Sequence, residues 1–140
     1  MLLVLLLLLL APAAQAATFA QTSGGTPVTF APCRALTWRL NLNGAPEAER
    51  ANVQAAFDRV AAATGFRFVA WPDTTVIPQR KANAAAQADA DVVFAFATPD
   101  ESDVGLGQRG GYATLGVGGF SATIGRYALG ASVVIDRADL

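Results

Sequence analysis

A chain without histidine must draw any chemistry from carboxylates, hydroxyls or thiols. This one has 140 residues, 11 Asp plus Glu, one Cys and no His. Asp100, Glu101 and Asp103 sit close together just after an apolar run, where carboxylate and carbonyl oxygens could gather around a hard cation such as calcium. The plainer reading of the same residues is a solvated turn. Asp73, Asp100 and Asp136 could supply the paired carboxylates of glycoside hydrolysis, although their spacing does not say which would meet. Ser121 and Ser132 have no imidazole to serve as base, so a Ser-His-Asp triad is excluded within this chain. One cysteine without histidine cannot furnish a usual zinc ligand set. Gly105-x-Gly107-x-x-Gly110 matches the dinucleotide fingerprint, but the residues from Gly111 to Gly116 read as strand or loop rather than the helix that fingerprint requires.

The remaining composition narrows the class further. Net charge is −1, and no basic stripe exists to neutralise phosphates, which argues against nucleic acid and anionic membranes as partners. The first sixteen residues, "MLLVLLLLLLAPAAQA", combine an apolar run with a small-x-small cleavage pattern and read as a secretory signal peptide. The run is too short to cross a bilayer, so the mature chain is expected to be secreted, without a membrane anchor. Residues 17–140 are enough for one modest domain. A single Cys33 in a secreted chain has no internal disulfide partner and is read as a small buried hydrophobe.

Those candidate residues need a scaffold, and the hydrophobic periodicity describes one. Residues 17–31 mix Gly, Ser, Thr and Pro without a period and read as an extended or flexible lead-in. Leu36, Trp38, Leu40 and Leu42 alternate with polar residues, which predicts a strand with one buried face. Pro46 opens a helix whose Val53, Ala56, Phe57, Val60, Ala61 and Thr64 share a stripe, with Gly65 as its left-handed stop. "FRFVAW" (66–71) predicts a second strand, parallel to the first across a right-handed crossover. Residues 72–90 read as a polar loop in which 81–88 have the composition of a short helix. "DVVFAFA" (91–97) is apolar on both faces and predicts a central strand. A long glycine-rich stretch then leads to a closing strand around "SVVI".

Five segments, "APCRALTWRLN", "AFDRVAAATGFRFV", "ADVVFAFATP", "GVGGF" and "GASVVIDRADL", together resemble the N-terminal part of the catalytic domain of secreted bacterial matrixin-type zinc metalloproteases, of the metzincin clan. The resemblance spans Pro32 to Leu140. It implies an α/β (α+β) fold: an incomplete metzincin-like domain with a twisted, mixed sheet of four to five strands and a backing helix. It also implies an active-site helix bearing H-E-x-x-H-x-x-G-x-x-H, in which histidines at i and i+4 share one face and the glutamate activates zinc-bound water. That motif is not in this sequence. The resemblance places Leu115, Gly116, Val117 and Gly118 in an antiparallel edge strand that binds extended peptide by β-augmentation; a flexible hairpin is the plainer reading of the same glycines.

The expected function is therefore that of a fragment of a secreted zinc metalloendopeptidase. Zinc belongs to the complete protein, calcium could occupy the acidic loop, and peptide or protein is the substrate. Alone, the chain is expected to bind no catalytic zinc and to cleave nothing. The alternative is a secreted, non-catalytic binding module that holds a protein through a sheet edge or an apolar face. One long helix covers only about half of a sheet of four or five strands. Apolar residues such as Phe94, Phe96, Val133 and Ile135 could then be left open, which favours self-association.

Overall fold

A computed structural model describes residues 21–109 and 112–140. The expected signal peptide, the start of the lead-in and Gly110 of the glycine pattern lie outside the described residues. The fold is mixed α/β, and the described residues form one principal sheet, one long helix and one short one.

The alternating segment forms β4 (Ala35–Asn41), preceded by the short strands β1 (Thr22–Ser23), β2 (Thr26–Pro27) and β3 (Thr29–Phe30). Leu36, Trp38 and Leu40 are buried while Thr37 and Arg39 between them stay partly exposed, the period of two that a half-buried strand requires. Helix α1 (Glu49–Thr64) follows. It ends at Gly65, whose φ of 75° lets its N–H reach the Ala61 carbonyl at 2.8 Å, the left-handed closure glycine permits without a Cβ penalty.

β5 (Arg67–Ala70) returns parallel to β4. The next loop contains a single helical turn, α2 (Ala84–Gln87), capped by Asn83 Oδ1 accepting from the Ala86 N–H at 3.1 Å. β6 (Val92–Ala97) then enters parallel to β4. β7 (Gly107–Arg109) and β8 (Tyr112–Thr114) form a separate hairpin. β9 (Gly116–Ile124) and β10 (Tyr127–Asp136) complete the sheet, β10 parallel to β6 and antiparallel to β9. The long strands thus run in the order β5-β4-β6-β10-β9, with β3 pairing the first two residues of β10.

Both faces carry apolar cover. On one, Trp38, Leu40, Val92 and Phe96 pack against Val53 and Phe57 of α1, and the Trp38 and Phe57 rings stack with centroids 4.4 Å apart. On the other, Val93 meets Ala84 and Ala88 at α2, and Ala97 and Val134 meet Leu106.

Several sequence expectations need correction. The helix stripe buries only Val53 and Phe57; Ala56 and Thr64 are exposed and Val60 is 46% exposed. The rest of that stripe is not closed onto the sheet: a groove of about 290 Å³ opens beside Phe57, Val60, Phe68, Phe94 and Val133. Phe96 by contrast is buried. Cys33 is exposed, not buried, because it occupies the turn between β3 and β4 at a φ of 65°. Within the lead-in, residues 21–31 join the fold: β1 turns back to pair β2, β3 pairs β10, and Val28 between β2 and β3 is buried.

Candidate functional site

The glycine-rich segment forms the outermost strand of the sheet, and its partner β10 holds it there. Glycine contributes little strand propensity, but Val117 opposite Val134 anchors the strand over Ala97 and Leu106. The register shifts around Gly130, which pairs with Ala122 while Ala131 pairs with Phe120, so Ser121 is the extra residue of a bulge. A Cβ at Gly130 would lie 2.4 Å from the Ala85 Cβ and 3.0 Å from Ser121 Oγ, so only glycine lets α2 and the bulged strand approach that closely.

The ladder decides which main-chain groups face outward. The Asp136 N–H donates to the Leu115 carbonyl at 2.8 Å, which makes that pair a hydrogen-bonded one. By the alternation of an antiparallel ladder, Val117 and Gly119 also turn their amides toward β10, and Gly116 and Gly118 turn theirs away. Among the described residues no strand pairs that outer side of β9. A Cβ at Gly116 would approach Ile135 Cδ1 to 2.7 Å, whereas one at Gly118 would meet Val133 Cγ2 at 3.5 Å and one at Gly119 would meet nothing within 4 Å. Gly116 and Gly118 thus offer free donors and acceptors with no side chains of their own to obstruct an incoming strand. Of the four residues expected in it, Gly116, Val117 and Gly118 are in β9; Leu115 stands just before the strand, 56% exposed.

Beside this edge, on the α2 face of the sheet, lies a cavity of about 290 Å³ lined by Gln79, Arg80, Lys81, Val117, Ser121 and Ser132 among others. Ser121 Oγ donates to Asn83 Oδ1 at 3.1 Å. The loop that supplies the two cations is pinned: the Arg80 N–H donates to Asp103 at 2.5 Å, and the Asp103 N–H donates to Gln79 Oε1 at 2.9 Å. The sequence shows a basic pair at 80–81; its position under the glycine edge depends on chain reversal that no local pattern announces.

The carboxylates singled out in the sequence are engaged separately. Glu101 accepts from Arg137, Asn43 and the Thr98 N–H, and the Arg137 guanidinium, followed by the Thr98 amide, holds its carboxyl down to about 2. Asp103 holds the Arg80 loop, and Asp100 is exposed. Asp73 takes two hydrogen bonds of 2.8 Å from Arg50, which lower its pKa. Asp136 is buried and accepts from the Ala138 N–H at 3.0 Å, starting the 3-10 turn Arg137–Asp139. No hydrogen bond joins Asp73, Asp100 and Asp136 to one another among the described residues. Nor does any group of three or more His, Cys, Asp and Glu among those residues have the arrangement to hold a metal ion. Asp100, Glu101 and Asp103 are thus not gathered into such a group among the described residues.

No helix among the described residues is long and apolar enough to cross a membrane. No protein-family model matches the chain, and comparison with curated proteins and with solved structures finds no match either.

Proposed function

We propose that this chain is the sheet-bearing part of the catalytic domain of a secreted zinc-dependent metalloendopeptidase, and that its own task is to hold extended peptide along β9. The observation that carries the reading is the antiparallel edge on an otherwise parallel set of long strands, with the amides of Gly116 and Gly118 turned outward. An extended peptide docking there gains main-chain hydrogen bonds regardless of its sequence, which suits an enzyme that must lay a substrate straight past its reacting group. The zinc ligands of the resemblance are not among these residues, so on this reading hydrolysis needs donors from outside this sequence.

The same edge supports a second reading, a secreted binding module without chemistry of its own. What favours it is the engagement of the acidic side chains: Asp73, Glu101 and Asp103 are each committed to a structural partner rather than gathered beside the edge.

Two experiments test these readings. Gly118→Pro removes one outward N–H from the edge while keeping the ladder to β10, a substitution edge strands tolerate. It should abolish binding of an extended peptide, followed by fluorescence anisotropy, while the circular dichroism of the chain stays unchanged. Unaltered binding rejects the edge. Sequencing the transcript beyond the Leu140 codon separates protease from module: an open frame reaching H-E-x-x-H-x-x-G-x-x-H supports the first, and a stop codon there supports the second.

A further inference from the structure

We infer that the peptide held along β9 is selected for an acidic side chain, a Glu or Asp received by Arg80 and Lys81 in the cavity beneath the edge. This deepens the edge-binding reading and rests on it.

A strand added to the outer side of β9 must place its residues alternately on the two faces of the sheet. Residues opposite Gly116 and Gly118 make the hydrogen bonds, and those opposite Val117 and Gly119 form the non-hydrogen-bonded pairs, in which side chains lie closer. Val117 packs with Val134, Leu106 and Ala97 on the α2 face, so a residue opposite Val117 or Gly119 projects its side chain on that face. Opposite Gly119 it meets no side chain from β9 itself, and the space around an added Cβ there is open. The cavity that Gly118 and Gly119 border is the one lined by Arg80 and Lys81.

Neither the Arg80 nor the Lys81 side chain has an ion-pair partner among the described residues. Among the described residues the ion pairs join Arg34 to Asp91, Arg50 to Glu47 and Asp73, and Arg137 to Glu101. Asp103 meets Arg80 through the main-chain N–H, which fixes the loop and leaves the guanidinium fork free for a carboxylate. Ser132 adds a hydroxyl to the lining.

The test uses the purified chain and two fluorescein-labelled peptides, acetyl-Ala-Thr-Val-Glu-Val-Thr-Ala-amide and its Gln counterpart, followed by anisotropy. The Glu peptide should bind about tenfold more tightly, a difference of about 1.4 kcal/mol, and the margin should shrink as NaCl rises. The Arg80→Gln, Lys81→Gln double variant should bind both peptides at the Gln level. Amide resonances of Gly118, Gly119 and Ser121 should shift during either titration. Equal affinity for the two peptides overturns the acidic preference while leaving the edge standing; a preference that survives in the double variant places it elsewhere and also overturns the assignment. Binding of neither peptide removes the edge reading and this inference together. Inorganic phosphate at matched ionic strength should displace the Glu peptide no better than chloride does, and stoichiometric phosphate binding would replace the peptide with a free anion as ligand.

Discussion

Arg137 grips Glu101 through two donors, Nη2 to Oε1 at 2.5 Å and Nε to Oε2 at 3.3 Å. The same carboxylate accepts from the Thr98 N–H at 2.8 Å and from Asn43 Nδ2 at 3.0 Å. Arg137 directly follows β10, Thr98 directly follows β6, and Asn43 lies two residues past β4. One ionised side chain therefore ties together the ends of three adjacent strands, including the one that supports the peptide edge.

That clamp predicts a specific acid sensitivity. The Glu101 carboxyl is held down to about 2, against 4.5 for an unperturbed glutamate. Its folded pKa lies below the unfolded one, so its contribution is complete above about pH 4.5 and is lost as pH falls from there toward 2. Urea unfolding midpoints should drop across that window, and Glu101→Gln should lower the midpoint at pH 7 while flattening the drop. A wild-type and variant that lose stability in parallel below pH 4.5 would show that another group is responsible.

Asp91 performs a similar service at the other ends of the strands. Burial pushes its carboxyl up, but hydrogen bonds from Arg34 (2.7 Å) and from the Thr37 amide and hydroxyl (2.8 and 3.0 Å) together outweigh it and leave the pKa lowered. Its carbonyl also accepts from the Ala131 N–H at 2.9 Å, so the residue connects β4, β6 and β10. Asp91→Ala strands the Thr37 donors and should cost about 2 kcal/mol, the scale of hydrogen bonds to a charged group. Chemical denaturation at pH 7 measures it, and a loss below about 0.5 kcal/mol would mean that water replaces the carboxylate.

These two clamps also mark where sequence reasoning stops. Alternation at Leu36, Trp38 and Leu40 announces β4, and the pattern from Val53 to Gly65 announces α1, because in each case the signal is local and periodic. The parallel pairing of β4 with β5 follows from the helix between them. Nothing local marks Glu101 as a clamp, since Arg137 lies 36 residues away. The β9 edge is intermediate: its glycines are plain in the sequence, yet only pairing with β10 decides that Gly116 and Gly118, not Val117, face outward. Cys33 departs from expectation because the average burial tendency of cysteine gives no warning of a turn with positive φ.

Gly130 gives a prediction about close packing. A methyl carbon added there would stand 2.4 Å from the Ala85 Cβ and 3.0 Å from Ser121 Oγ, so Gly130→Ala forces α2 or the bulge of β9 away from β10. Overpacking of this kind costs about 1–3 kcal/mol. The urea midpoint should fall accordingly, and hydrogen exchange at Ala86 and Ala88, the capped turn of α2, should accelerate. An unchanged midpoint would mean that α2 yields freely and is not part of the cooperative core.

The final prediction concerns the apolar groove between α1 and β10. Its lining is almost wholly hydrocarbon: Phe57, Val60, Phe68, Phe94, Ala131 and Val133 border it, with Val60 nearly half exposed at its rim. An exposed apolar surface of this kind drives association in water. Sedimentation velocity of the chain should show concentration-dependent self-association, and Val60→Glu should shift it toward monomer. Val60 is at the groove's rim and nearly half exposed, so the substitution should leave the chain folded, with a loss of unfolding free energy of about 1 kcal/mol or less. The expectation fails if the chain is monomeric at all concentrations, or if Val60→Glu associates as strongly as the wild type. Retained association in the variant, together with its loss in Gly118→Pro, would transfer the self-association to the β9 edge, where two copies would pair strand to strand.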